Sequence, residues 1–95
     1  MYGNVVSMAI LLITIVTDAT SWINTYIPEL IKRLIKRAYK VNWLHDVNLT
    51  EQGEGVFFLG CGQIAPSDIL EKNKHNLVVH ESDLPWGKGR SPLTW

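Results

Sequence analysis

The sequence predicts an α/β domain built on a mostly parallel, twisted β-sheet, because short apolar runs alternate with helical patterns. Four runs rich in β-branched or aromatic residues predict buried strands, at residues 8–16, 41–46, 56–60 and 76–80. An amphipathic helical pattern separates the first two runs, and a shorter one separates the last two. Strand–helix–strand units of this kind bring their strands together in parallel. We therefore expect a parallel sheet with flanking helices, truncated after its fourth strand.

The first strand lies in the apolar segment Val5–Val16, which has to be distinguished from a membrane span or a secretory signal. A membrane-spanning helix needs about 20 residues, and this segment is shorter than that. A secretory signal carries a basic region before its apolar core, and no basic residue precedes Val5. We therefore expect a buried strand at Met8–Val16 in a cytoplasmic protein without a membrane partner, with residues 1–7 as a leader and residues 8–95 as the domain.

The helix between the first two strands has the clearest pattern in the chain. Its apolar residues recur at helical spacing, at Ile27, Leu30, Ile31, Leu34, Ile35 and Ala38. Pro28 belongs in the first turn, so Asn24 or Thr25 is the expected N-cap of a helix that continues to about Tyr39. Basic residues fill the opposite face. We expect that face to be solvated, because the net charge is +0 and no aromatic residues alternate with the basic ones.

The connection between the second and third strands, Val47–Glu54, is shorter than the dozen or so residues that a parallel crossover usually needs. Either it holds one helical turn around 49–52, or the third strand pairs in an unusual way. After the third strand we expect a turn at Gly60–Ala65, a short helix at Pro66–Asn73, the fourth strand, and a polar loop that leads to a helix starting at Ser91.

The composition excludes several classes of protein. Hydrophobic residues make up 46% of the 95 residues and charged residues 19%, which is typical of a folded domain. Nine Lys and Arg balance nine Asp and Glu, which excludes a strongly basic nucleic-acid binder. Cys61 is the only cysteine, so an intrachain disulfide and a cysteine-rich zinc site are excluded. We expect Cys61 to be a small, unreactive core residue and expect no metal.

Candidate functional residues gather at the carboxyl ends of the predicted strands, where open α/β sheets bind their ligands. These positions are Asp18–Trp22, His45–Asp46, Gly60–Ala65 and His80–Ser91. His80 ends what we expect to be a buried strand, which would hold its ring in one orientation. The loop after it combines backbone freedom, positive charge and a helix start, and therefore favours an anionic ligand. Its residues are Gly87, Lys88, Gly89, Arg90 and Ser91.

Three segments together resemble one known family. They are His80-Glu81-Ser82-Asp83-Leu84-Pro85 with the basic, glycine-bearing loop after it, the strand and turn Leu59–Pro66, and the loop and helix Asp18–Ile35. They resemble the formyltransferase N-terminal domain family, which includes methionyl-tRNA formyltransferase, glycinamide ribonucleotide formyltransferase and the amino-sugar N-formyltransferases. The family's signature is Asn-x-His-Pro-Ser-x-x-Pro. The resemblance runs from about Ile13 to Trp95.

The resemblance implies a Rossmann-like sheet and transfer of a formyl group from 10-formyltetrahydrofolate to an amine. The acceptor would be a small molecule such as a nucleotide-linked amino sugar, or a formyl-acceptor tRNA. It implies that His80 is the catalytic histidine and that main-chain groups of Gln63, Ile64 and Ala65 bind the pterin. The loop Gly87–Ser91 would then contact the substrate.

The chain departs from the family's pattern in two places. Val78 stands where the family has an asparagine, and Asn76 lies about 13 Å from His80 along an extended strand, too far to replace it. The family's catalytic aspartate falls beyond Trp95. We therefore expect a fragment that is inactive alone and whose open sheet edge favours self-association. Two other interpretations stay open: a non-catalytic remnant or small anion- or nucleotide-binding module, and an α/β fold without an active site.

Overall fold

Residues 10–80 are the part of the chain that the structure, a computed structural model, describes. Within them the elements are β1 (Leu11–Val16), α1 (Ile27–Lys36), β2 (Tyr39–Leu44), β3 (Gly53–Leu59), α2 (Ser67–Leu70) and β4 (Asn73–Val79), with 3₁₀ turns at Trp22–Thr25 and Val47–Leu49. The four strands form one sheet, and each pairs in parallel with its neighbours. The predicted α/β, Rossmann-like fold class is confirmed.

The strand order β2-β1-β3-β4 places β1 between the two strands that the short second connection joins. Strand β3 pairs with β1 and not with β2, with Ile13 opposite Gly55 and Val16 opposite Phe58. The chain therefore crosses β1 on the face of the sheet that carries Val16, and the 3₁₀ turn Val47–Leu49 lies in that crossing. A single helical turn was one of the two predicted solutions, and it lies slightly earlier in the chain than expected.

Helix α1 packs on one face of the sheet in the predicted register. Ile27 is buried against Ile13 and Ile15 of β1, and Leu30, Ile31 and Leu34 pack on the same cluster. The basic residues Lys32 and Arg33 are exposed. Apolar helix residues thus cover β1 and β2, which anchors the loop that precedes the helix.

The predicted ends of this helix are wrong. Asn24 and Thr25 belong to the 3₁₀ turn capped by Ser21, so α1 begins after Tyr26, with Pro28 in its first turn as expected. At the other end, Ile35 is 58% exposed and does not contribute to the core. Ala38 lies beyond the helix in a left-handed conformation, with φ 71°. That turn reverses the chain and lets β2 begin at Tyr39, earlier than predicted.

The opposite face of the sheet carries the second apolar cluster. Val16, Val56 and Phe58 project from the strands, and Val47, Cys61 and Ile69 cover them from the connections. Because the 3₁₀ crossing and α2 both lie on this side, the segments that follow β2 and β3 are held against the same cluster.

The environment of strand β4 differs from the buried one that was predicted for it. It was predicted as a buried strand, yet it is an edge strand in which most side chains are exposed, Leu77 and Val78 to 48% and 51%. Its outer edge has no partner strand among residues 10–80. Three strands also begin at other residues than predicted. Strand β3 begins at Gly53 and β4 at Asn73, both earlier than expected. Strand β1 begins at Leu11, and its predicted start, Met8, lies outside the described residues. No helix in residues 10–80 has the length and apolar character needed to span a bilayer.

Candidate functional site

The carboxyl ends of β1, β2 and β3 meet at one edge of the sheet, where the connections leave in opposite directions. From β1 the chain goes first to β2 on one side, and then returns to β3 on the other. Open parallel sheets bind ligands beside such a reversal of strand order. Polar residues of the segments 17–24, 45–48 and 60–66 surround this point and contact one another through hydrogen bonds.

Gln63 connects the segments that follow β2 and β3. Its side-chain Nε2 donates to the carbonyl oxygen of His45 at 2.9 Å, and its Oε1 accepts from the N–H of Val47 at 2.8 Å. Both ends of the amide are therefore used, which fixes its orientation. Gln63 was predicted to bind a cofactor through its main chain, whereas its side chain has a structural role at the same edge.

Asp18 connects the segments that follow β1 and β3. Its carboxylate accepts from the N–H of Gly62 at 2.9 Å and lies 3.4 Å from Nε2 of Gln63. The thiol of Cys61 also hydrogen-bonds to Asp18. Burial raises the pKa of this thiol, the N–H of Gln63 opposes that shift, and the Asp18 carboxylate adds to it. Cys61 is thus a protonated core residue at neutral pH, consistent with its predicted unreactive role.

Thr17 is the buried centre of a second network at the ends of β1 and β2. Its hydroxyl donates to Oδ1 of Asn24 at 2.6 Å and accepts from Nε1 of Trp43 at 3.0 Å. The Asn24 amide cannot be reversed, because its Nδ2 donates to the carbonyl oxygens of Asp18 and Ala19. The single proton of the Thr17 hydroxyl is therefore used in the hydrogen bond to Asn24.

Because the Thr17 hydroxyl donates to Asn24, it cannot also donate to His45, and this determines which ring nitrogen of His45 carries the proton. Nδ1 of His45 lies 2.9 Å from the Thr17 carbonyl oxygen and 3.2 Å from the Thr17 hydroxyl oxygen. Neither oxygen has a proton to give to His45, so Nδ1 must be the N–H donor. In the neutral ring Nε2 is then an unprotonated acceptor. The side chain is exposed, and it meets Trp43 edge to face with ring centroids 5.6 Å apart.

The predicted cofactor turn is exposed at the carboxyl end of β3. The Ile64 side chain is 89% exposed, whereas Ala65 packs against the apolar cluster behind it. Within residues 10–80 the main-chain N–H and C=O groups of Ile64 and Ala65 have no hydrogen-bond partner. Among residues 10–80, this turn therefore has unpaired main-chain groups and one exposed apolar side chain, that of Ile64.

His80 directly follows β4, and its side chain is exposed. The N–H of Gly60 donates to the carbonyl oxygen of Val79 at 2.9 Å, which brings the start of the Gly60–Ala65 turn beside His80. The ring is not enclosed by a buried strand, so the expected reason for a single ring orientation is absent. The loop Gly87–Ser91 and the helix start at Ser91 lie outside the described residues.

The sequence placed Asp18 and His45 among the candidate positions and Asn24 at an expected helix N-cap, but it assigned no role to Thr17 and no contact among the four. Their polar character was visible, but the contacts join residues 5 to 45 positions apart, and those between different strand ends depend on the strand order. Within residues 10–80 no cluster of three or more His, Cys, Asp or Glu side chains is arranged to hold a metal ion. Comparison with known protein families, with curated proteins and with solved structures finds no significant match to this chain.

Proposed function

We propose that the chain carries the cofactor-binding part of a cytoplasmic, folate-dependent formyltransferase domain. The observation that supports this most directly is the Gly60–Ala65 turn. There the main-chain groups of Ile64 and Ala65 are unpaired among residues 10–80, and Ile64 is exposed next to the end of β4. A pterin ring needs both features, since its edge carries hydrogen-bonding groups and its faces are flat and apolar. The proposed cofactor is 10-formyltetrahydrofolate.

The proposed position of the folate lies on the β3–β4 side of the edge. The gap between the ends of β1 and β3 is crossed by the hydrogen bonds of Asp18 with Gly62 and Gln63. These bonds occupy the place where open α/β sheets commonly admit a ligand. The Ile64–Ala65 main chain and His80 lie beyond them, toward the open edge.

In the proposed reaction an unprotonated acceptor amine attacks the formyl carbon, forming a new carbon–nitrogen bond and a tetrahedral oxyanion. The bond to the folate nitrogen then breaks, and the proton lost by the amine ends on that nitrogen. His80 supports these steps by donating a hydrogen bond to the oxyanion or by moving the proton. An exposed histidine has no fixed orientation for this, so in the proposal further residues enclose it.

Binding of 5-formyltetrahydrofolate, a non-transferring analogue, to the 95-residue chain tests the cofactor site. We expect ¹H–¹⁵N chemical-shift changes at residues 60–65, and weaker binding in Ile64→Asp than in Leu49→Asp. Leu49 is a suitable control because it is also an exposed apolar residue, at 60%. Equal binding by both variants, or no shift at the turn, would contradict the proposal.

Formyl transfer itself is tested in a chain extended beyond Trp95. There His80→Ala should lower turnover by about 10²–10⁴-fold while folate binding changes little, and His75→Ala, on the same strand, should have no such effect. Folate binding without transfer in the extended chain would favour a non-catalytic remnant instead.

A further inference from the structure

The amino end of the sheet, opposite the candidate site, brings the end of α1 together with the starts of two strands. Because α1 connects parallel neighbours, it runs against them, and its last turn lies beside the starts of β1 and β2. Only Arg37 and Ala38 separate α1 from Tyr39, the first residue of β2, and Tyr39 pairs with Leu11 of β1. These parts form one surface, called here the amino-end surface.

The amino-end surface is positively charged, although the chain has a net charge of +0. Residues 30–45 contain five basic residues and no Asp or Glu, and all five are exposed. They are Lys32, Arg33, Lys36, Arg37 and Lys40. Arg33 lies 3.4 Å from Glu29, and within residues 10–80 the other four form no ion pair. Glu51 contacts Asn42 on the opposite face of β2, so the positive charge is concentrated on the α1 side.

Three exposed apolar side chains belong to the same surface. Ile35, in the last turn of α1, is 58% exposed, and Ile10 and Leu11, at the start of β1, are 69% and 42% exposed. Ile35 lies at the border of the buried helix face, between Lys32 and Lys36 in the sequence. A partner that fits this surface has to offer both negative charge and an apolar environment.

We propose that the amino-end surface docks on a membrane leaflet that contains anionic lipids. Such a leaflet offers negative headgroups to Lys and Arg, and it offers the boundary of the acyl chains to exposed aliphatic side chains. Stable attachment needs more than one such contribution, and this surface has both. The expectation of no membrane partner considered a spanning segment, and docking on a leaflet requires none.

A nucleic acid fits the amino-end surface less well, although it is also a polyanion. Lys and Arg could neutralise phosphates, but single-stranded nucleic acids are also held by aromatic side chains that stack on bases. The exposed apolar side chains here are the aliphatic Ile10, Leu11 and Ile35. A lipid surface uses both the charged and the aliphatic residues.

The test is binding of the 95-residue chain to lipid vesicles, measured by co-sedimentation. One set of vesicles is phosphatidylcholine alone, and in the other about a third of the lipid is phosphatidylserine. Binding to the second set should be tighter by about 10-fold or more. It should weaken when the salt is raised from about 0.1 M to about 1 M, which shortens the screening length from about 10 Å to about 3 Å. A spin-labelled headgroup should broaden the amide NMR signals of residues 10–11 and 35–40, and leave those of residues 60–65 sharp.

Two matched pairs of substitutions test the assignment to this surface. Lys36→Gln should weaken binding about 5-fold, whereas Lys74→Gln, on β4, should weaken it by less than about 2-fold. Ile35→Ser should weaken binding about 5-fold, whereas Leu49→Ser should have no effect, although Leu49 is similarly exposed at 60%. All four side chains are exposed, and circular dichroism checks that each variant is folded.

Equal binding to both kinds of vesicle, equal effects within either pair of substitutions, or broadening at residues 60–65 alone would overturn the proposal. So would an RNA hairpin that binds at residues 35–40 with the same affinity in Ile35→Ser, since that result identifies a nucleic acid as the partner. Docking does not rest on formyl transfer. The folate titration reports on the opposite, carboxyl end of the sheet, so lipid docking and folate binding are confirmed or contradicted separately.

Discussion

The Gln63 side chain donates a hydrogen bond from Nε2 to the carbonyl oxygen of His45 at 2.9 Å, and so joins the ends of two strands that are not neighbours in the sheet. Strand β1 lies between them, and the amide reaches across its end. The same amide accepts from Val47, the first residue of the 3₁₀ crossing. One side chain thus fixes both the exit from β2 and the turn after β3, where the folate site is proposed.

Replacing Gln63 by Ala should lower the free energy of unfolding by about 1–2 kcal/mol, because the N–H of Val47 loses its acceptor and the His45 carbonyl loses its donor. Chemical denaturation of both proteins measures this difference. The exposed Gln52 provides the control, since Gln52→Ala should change stability by less than about 0.5 kcal/mol. Equal effects of the two substitutions would show that the bridge contributes nothing to stability.

The fold class and the register of α1 follow from the sequence because they depend on local patterns. Apolar residues at helical spacing predict the buried face of α1 correctly from Ile27 to Leu34, and alternation of strands and helices predicts the parallel sheet. The pattern fails at Ala38, because an alanine gives no signal for a left-handed turn. It also fails at β4, since an apolar run is the same whether or not another strand lies beside it.

The contacts within the site were less accessible to prediction. That polar residues follow β1, β2 and β3 is visible in the sequence, but which of them touch depends on β1 lying between β2 and β3. The strand order could not be derived from the patterns. To predict the tautomer of His45, one must also know the direction of every hydrogen bond around the Thr17 hydroxyl.

Thr17→Val should destabilise the chain and Thr14→Val should not, although both threonines are fully buried on or beside β1. The Thr17 hydroxyl has partners on both sides, so its loss leaves Asn24 and Trp43 unsatisfied and should cost about 1–3 kcal/mol. The Thr14 hydroxyl has no partner among residues 10–80, so a methyl group in its place should be neutral or stabilise by up to about 1 kcal/mol.

Thermal melts of the two valine variants give the comparison, and the indole N–H proton of Trp43 reports on the network directly. In Thr17→Val that proton should move toward the shift of an indole without a hydrogen bond, and in Thr14→Val it should stay in place. A Thr14→Val variant as unstable as Thr17→Val would mean that the Thr14 hydroxyl has a partner after all.

Ala38→Gly should stabilise the chain by about 1 kcal/mol. Ala38 follows the C-terminal end of α1 with φ 71°, a conformation that glycine adopts without the clash that a Cβ introduces. The gain is reduced by the greater freedom of glycine in the unfolded chain. Ala38→Val should be clearly destabilising, because a β-branched side chain is still less compatible with positive φ. Circular dichroism melts of the three proteins measure the order, and a less stable glycine variant would contradict it.

The thiol of Cys61 should react slowly with iodoacetamide in the folded chain. Ionisation of this thiol at alkaline pH should lower the unfolding free energy of the chain. Burial raises its pKa above the ordinary 9.0, with Asp18 adding to the shift against the opposing N–H of Gln63. Because the folded-state pKa is the higher one, the stabilising protonated form is fully present below the unfolded-state pKa. Its contribution is lost as the pH rises through the folded-state pKa.

Alkylation rates followed by mass spectrometry between neutral and alkaline pH test this shift, with the urea-unfolded chain as reference. Asp18→Asn removes the carboxylate charge and leaves a side-chain oxygen that can still accept from Gly62, so the thiol should react faster at a given pH. In Cys61→Ala the alkaline fall in unfolding free energy should be smaller than in the unchanged chain. A folded chain that is alkylated as fast as the unfolded one would show that Cys61 is neither buried nor held beside Asp18 at the end of β1.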